Sequence, residues 1–333
     1  MAGYARAGTN MPTIEMLFTG GTISMTNAGS GAIPNLGSVE LLRQLDYGES
    51  VQVSGSDWGQ LPASHLTLDN VVEIGLRVAE MMRDPGNAGV VVVQGTDTME
   101  ESSLIWALMG PWSKPFVVTG AMRTSTDPDP DGPANLRDAI RWIGVLAERP
   151  GDVHVAMGGE LHSAGSVVKW HSGSLGAFRS PGAGPVGRRT SAGYQLLRAV
   201  ISGPGFGARA YAAVEIAYLS LGCGTDTLEY LTRSGCGPGL VICAPGKGHT
   251  SPAQLEVATA YLSRGGVVVL CSRCFEGGAQ PDYGFVGGGR SWQNAGAIHA
   301  SMSAPKARVV LSLGLAHGLN RQQIVDVFDG LAS

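Results

Sequence analysis

The chain has 333 residues, 23 Lys+Arg against 27 Asp+Glu for a formal net charge of −4, and only 15 % charged residues. It carries no basic block or aromatic-interleaved Arg/Lys stripe, which argues against a nucleic-acid partner, and no apolar run reaches membrane-spanning length. Its 50 glycines are scattered through apolar periodic sequence rather than gathered in a tract, as suits a fold with many strand-to-helix turns.

At this length two domains are expected. The opening segment from Met1 to Arg6 lacks the apolar stretch of a signal peptide, so a cytoplasmic protein is the expectation. The first strand covers Ile14–Phe18 and ends in Thr19-Gly20-Gly21-Thr22. After Thr67 and Asp69, the spacing of Val72, Leu76, Ala79 and Met82 predicts one buried helical face. The run Val90–Val93 is apolar throughout, as in a parallel strand covered on both sides. It ends in Gln94-Gly95-Thr96-Asp97, and Thr98-Met99-Glu100-Glu101 then reads as a capping box opening a helix.

Phe116–Thr119 is the next strand, and Pro133 opens a helix whose buried stripe is Leu136, Ile140, Ile143 and Leu146. Val153–Met157 is another strand. From about 172 to 212 the pattern fades into turn residues, and 191–212 reads as a linker between an N-terminal domain, 1–190, and a C-terminal domain, 213–333. Beyond it come a strand over 213–221, a helix over about 225–234, a strand over 239–244, a helix opened by Ser251-Pro252 and a strand over 267–272. Two helices end the chain, the last capped by Asn320 with Gln323. Short apolar runs alternating with helical patterns predict an α/β fold: a larger N-terminal doubly wound parallel-sheet domain and a smaller C-terminal α/β domain.

The cysteines number five, all after residue 220, with no framework spacing. Cys271 and Cys274 form a C-x-x-C, but no second pair or His cluster accompanies them, so Cys271 reads as a reduced structural thiol and no metal is assigned. A nucleotide site is not indicated: Gly20-Gly21 lacks the dinucleotide spacing, and Gly246-Lys247-Gly248 lacks the Ser/Thr of a P-loop.

The two threonine turns carry the chemistry. Bound ligands in open α/β sheets sit at the carboxyl ends of strands, which is where Thr22 and Thr96 stand. A threonine hydroxyl becomes a nucleophile when a base takes its proton, a neutral lysine is one such base, and turn N–H groups can hold an oxyanion. Taken singly, each turn also reads as a helix cap. Together they suggest acyl transfer on a small carbonyl substrate.

These stretches resemble the bacterial-type L-asparaginase family. Thr19-Gly20-Gly21-Thr22-Ile23 and Gly95-Thr96-Asp97-Thr98-Met99-Glu100-Glu101 match its two signatures. Gly120–Arg123, Asp131-Gly132-Pro133 with Asn135-Leu136, Ser180-Pro181 through Gly184-Pro185, Ser272-Arg273, Tyr283-Gly284-Phe285 and Lys306-Ala307-Arg308 continue the match in order. The resemblance implies hydrolysis of a side-chain amide, giving aspartate and ammonia, with no cofactor. It implies homodimers or homotetramers with sites near subunit interfaces and L-asparagine as substrate. It assigns Thr22 as nucleophile, with Thr96, Asp97 and Lys169 as a second hydroxyl–acid–base set, and leaves open which threonine attacks first. Substrate binding falls on Ser64, its neighbour His65, Gly95, Thr96, Asp97 and the carbonyl of Ala121.

Three departures from the family pattern stand out. The loop from Ser24 to Leu36 has no tyrosine, and Ala32 occupies the aligned place. His65 replaces a polar neighbour of the binding serine. His249 stands where asparagine is common, with Glu276 and Asp282 competing for a nearby acidic role. A relaxed asparaginase-glutaminase and a catalytically weak amino-acid-binding protein are the alternative functions.

Overall fold

The computed structural model describes residues 11–27, 32–43, 45–46, 51–199 and 204–332. β1 (Thr13–Phe18) leads through a 3-10 turn, Thr22–Ser24, into β2 (Met25–Asn27) and β3 (Ala32–Pro34). There follow α1 (Ser38–Arg43), β4 (Gln52–Asp57), a second 3-10 turn at Ala63–His65, α2 (Leu68–Met81), β5 (Asn87–Val93) and α3 (Met99–Met109). Next come β6 (Phe116–Thr119), α4 (Gly132–Val145), β7 (Val153–Met157), β8 (Glu160–Ser163), β9 (Val168–Lys169), β10 (Phe178–Arg179), β11 (Gly187–Thr190) and β12 (Gly193–Leu196). The C-terminal part holds β13 (Val214–Tyr218), α5 (Asp226–Thr232), β14 (Gly239–Ala244), α6 (Pro252–Ser263) and β15 (Val267–Ser272). It ends with α7 (Gly289–Ala295), β16 (Ile298–His299), α8 (Ala304–Ala316) and α9 (Arg321–Ala332).

The large sheet runs in the order β12-β11-β8-β7-β6-β5-β1-β4. From β4 to β7 neighbouring strands are parallel. All four valines 90–93 are fully buried because both faces are covered. Val90 and Val92 face the core built with α2 and α3, while Val91 and Val93 face the one built with α4. This part is doubly wound, as expected. The sheet as a whole is mixed, which corrects the expectation of a parallel one: β8, β11 and β12 add antiparallel. The cause is local. Only Gly158 and Gly159 separate β7 from β8, at φ +61° and +84°, and a two-residue turn with both φ positive joins antiparallel strands. Strand β12 carries the large sheet into the stretch read as a linker, of which residues 200–203 lie outside the described ones.

The helical face expected on α2 holds only in part. Met82 is buried and Val72 and Ala79 pack partly against the core, but Leu76 is 47 % exposed. Val71, Ile74, Gly75 and Val78 are the buried residues of the helix itself. The segment offers two overlapping apolar stripes, and α3 selects between them. Trp106 Nε1 donates to the Val71 carbonyl at 2.8 Å. A Cβ on Gly75 would come within 2.9 Å of Trp106 Cδ1, so the glycine admits the close helix–helix approach. On α4 the expected stripe of Leu136, Ile140, Ile143 and Leu146 is buried.

The second sheet, β13-β14-β15-β16, is parallel. α5, α6 and α7 cover one face. Its other face packs on α8 and α9, in a core continuous with α2, α3 and the large sheet. A helical layer in which α3 touches α8 therefore joins the two sheets. Cys271 is fully buried in β15 opposite Cys243, and burial pushes its thiol up. Among the described residues no helix is long and apolar enough to cross a membrane.

Candidate active site

Strand β1 lies between β4 and β5. The chain runs from β1 outward to β4, then crosses back to β5, so the winding reverses between β1 and β5. In open α/β sheets such a switch point leaves a crevice beyond the carboxyl ends of the strands. Thr22 follows β1 at this crevice and Thr96 follows β5.

The two turns touch through their glycines. Gly20 and Gly21 adopt φ +106° and +88°, and a Cβ on Gly21 would fall 2.3 Å from both Cα and N of Gly95. A Cβ on Gly95 would in turn meet that of Ala63 at 2.8 Å. The segment after β4 is tied down as well, with Leu61 N donating to the Thr19 carbonyl at 3.0 Å. Ser64 and His65, both exposed, therefore sit on a 3-10 turn against Gly95.

Thr98 does not cap α3 with its side chain, contrary to the capping-box expectation. Its hydroxyl donates instead to the Ala63 carbonyl at 3.1 Å. That bond fastens the Ser64 turn to the Thr96 turn, a tertiary partner that outcompetes the local one. The other half of the expected box, Glu101, is half-buried, and desolvation raises its pKa.

Lys169, from β9, reaches the same place. Its Nζ donates to Thr96 Oγ1 at 2.8 Å and to Asp97 Oδ1 at 2.6 Å. Thr96 is 4 % exposed, whereas the Asp97 side chain is 64 % exposed. A buried hydroxyl, a cation and a carboxylate in contact form a proton-transfer set.

The predicted residue Ala121 is buried at the end of β6. Its turn is braced by two side chains to which the sequence assigned no role. The Asp131 carboxylate accepts from Met122 N at 3.0 Å and from Arg123 N at 2.9 Å. Asn135 Nδ2 donates to the Gly120 carbonyl and to Asp131, both at 3.0 Å, and its Oδ1 accepts from Gly158 N at 3.2 Å. Asp131 beside Pro133 reads locally as a helix cap, yet it makes no cap bond and reaches the other turn only in the folded chain.

Residues 28–31 of the loop after Thr22, and the side chain of Ala32, lie outside the described residues. The backbone on either side pairs as a hairpin, Met25 opposite Pro34 and Asn27 opposite Ala32. Ser125 Oγ ties Met25 to the turn region after β6 at 3.0 Å. In the C-terminal part, His249 packs its ring on Tyr283 and Phe285, with centroids 4.8 and 5.2 Å away. Asp282 pairs with Lys247 at 2.5 Å, and Glu276 lines a cavity between the two halves. Among the described residues none of these hydrogen-bonds to Thr22, Thr96, Asp97 or Lys169. That interdomain cavity, about 710 Å³, is lined by neither threonine.

The family described as asparaginase, N-terminal, matches residues 13–201, and the glutaminase/asparaginase C-terminal domain matches residues 213–328. A probable L-asparaginase of Deinococcus radiodurans is 34 % identical over 336 residues, covering 96 % of this chain and 98 % of the relative. A glutaminase-asparaginase of Pseudomonas aeruginosa is 26 % identical, covering 96 % of this chain and 90 % of that protein. The crystal structure of a probable cytoplasmic L-asparaginase from Campylobacter jejuni superposes with a TM-score of 0.83 at 26 % identity, covering 96 % of this chain and 99 % of that one.

Proposed function

The chain belongs to the asparaginase/glutaminase family, and from that premise we propose that it is an L-asparaginase, an amidohydrolase that converts L-asparagine to L-aspartate and ammonia. The observation that carries the reading is Lys169 Nζ lying on both Thr96 Oγ1 and Asp97 Oδ1 beside the glycine turn of Thr22.

In this reading the Thr22 hydroxyl oxygen adds to the amide carbon, and its proton passes to the departing nitrogen. The C–N bond breaks, ammonia leaves and a threonyl ester remains. Water activated by the Thr96–Lys169–Asp97 set then adds to the ester, releasing aspartate and restoring Thr22. Lys169 Nζ, in contact with both partners, mediates proton transfer at Thr96 Oγ1, and Asp97 balances the lysine charge. Backbone N–H groups of the two turns hold the oxyanion. Asp97 also faces the substrate α-ammonium with its exposed carboxylate, Ser64 and His65 meet the α-carboxylate, Gly95 lets the substrate approach the backbone, and the Ala121 carbonyl accepts from the amide nitrogen. A cytoplasmic homodimer or homotetramer, with His249 and its neighbours near a second subunit's site, completes the proposal.

Ammonia release from L-asparagine and L-glutamine tests it. The wild type turns over L-asparagine, while Thr22→Ala, Thr96→Ala and Lys169→Ala each lose at least about 100-fold in kcat. Tight binding without turnover would leave only an amino-acid-binding protein. The resemblance to a glutaminase-asparaginase favours a second reading of relaxed specificity. One methylene is worth only about 1–3 kcal/mol of discrimination, so equal kcat/KM for the two amides would establish it.

A further inference from the structure

Lys169 is gripped twice by one short stretch of chain. Its side chain lies on Thr96 and Asp97, and its backbone N–H donates to Glu100 Oε2 at 2.7 Å. Glu100 stands in the first turn of α3, just beyond those two residues. Its other oxygen, Oε1, accepts from Ser303 Oγ at 3.1 Å, and Ser303 is the residue before α8 in the C-terminal part. One carboxylate thus bridges the lysine strand and the other half of the molecule.

The strand needs such a grip. β9 and β10 are two residues each and, among the described residues, pair only with one another, and an isolated two-stranded ribbon is marginal in water. The Trp170 N–H faces β10 and donates to the Ala177 carbonyl at 2.7 Å. Successive N–H groups point to opposite sides, so that of Lys169 points away from β10 and meets Glu100. Trp170 rests on Phe275, with ring centroids 4.4 Å apart. Val168, Phe275 and Ser303 line the interdomain cavity of about 710 Å³.

We infer that Glu100 is a positioning residue, holding β9 so that Lys169 Nζ stays on Thr96 Oγ1, and that Ser303 orients Glu100 from the C-terminal half. The inference rests on Lys169 serving the hydrolysis proposed above. A carboxylate accepting from an N–H makes a bond roughly twice as strong as a neutral pair, and a misplacement of about 1 Å costs on the order of 100-fold in rate.

The test combines kinetics with amide hydrogen exchange. Glu100→Ala should lower kcat about 10- to 100-fold with KM within about threefold. Glu100→Gln, which keeps an acceptor, should recover part of that loss. In a Lys169→Ala background, Glu100→Ala should add less than about twofold, since residues acting through one another are not additive. The Lys169 amide should exchange at least about tenfold faster in Glu100→Ala and detectably faster in Ser303→Ala. An undiminished loss in the Lys169→Ala background, or unchanged exchange at Lys169, overturns the inference. If Glu100→Ala does not fold, Glu100→Gln and Ser303→Ala carry the same comparison. A wild type that releases no ammonia sinks the hydrolase reading, while the exchange measurement still decides whether Glu100 holds the strand.

Discussion

Gly21 sets the distance between the two threonine turns. With φ +88° and ψ −177°, it occupies a region open essentially to glycine alone. A Cβ there would overlap the Gly95 backbone at 2.3 Å, and neither turn can yield without moving its strand end. We predict that Gly21→Ala lowers stability by about 2 kcal/mol or more, combining left-handed strain with overpacking. Urea denaturation measures this, and an unchanged midpoint would refute the packing argument. Activity should fall with it, because Thr22 rides on this residue. Lys169 is equally demanding at its tip: a point ammonium touches both Thr96 and Asp97, and Lys169→Arg should not restore the activity that Lys169→Ala loses, since a planar fork directs its donors differently.

At the scale of elements, the turn after β6 shows how a helix start can serve a neighbour. Asp131 receives the N–H groups of Met122 and Arg123 together with Asn135 Nδ2. Hydrogen bonds to charged groups contribute about 1.5–3 kcal/mol, and Asp131→Ala removes the acceptor of all three donors at once. It should destabilise the protein by at least about 2 kcal/mol and raise KM for the amide substrate by loosening the Ala121 carbonyl. Thermal unfolding and steady-state kinetics check this, and a variant with wild-type Tm and KM would show that the turn stands without its brace. Elsewhere helix starts obey local chemistry. Ser251 with Gln254 and Asn320 with Gln323 form reciprocal capping bonds, whereas Thr98, in an equally good local context, is diverted to Ala63.

For the molecule as a whole, a buried polar group beside the helical layer sets the response to acid. Burial pushes His154 and His162 down to about 4, with Arg198 assisting in both and Lys306 in the second. In the unfolded chain they take up protons near 6.5, so the unfolded state binds more protons between pH 6.5 and 4 and stability is lost as pH falls through that window. Asp152 acts oppositely. Desolvation raises it to about 6, so the folded state holds the extra proton between about pH 4 and 6 and gains stability on acidification. Two histidines outweigh one aspartate, and Tm should drop from pH 7.5 to pH 5. In His154→Gln that drop should shrink. An equal drop in the variant would assign acid sensitivity to other groups.

Much of this architecture was legible residue by residue. Strands 239–244 and 267–272 match β14 and β15, the valine run is the fully covered β5, and the Pro133 helix buries its expected stripe. All of these follow from period, apolar character and local caps, which act over a few residues. Thr96, Asp97 and Lys169, singled out by their resemblance to family motifs, do meet in space. The face of α2, the partner of Thr98 and the braces at Asp131 and Glu100 were settled by packing. So was the abutment of the two threonine turns. Each is a competition between a local partner and a distant one, and only the folded chain brings the distant partner close enough to win.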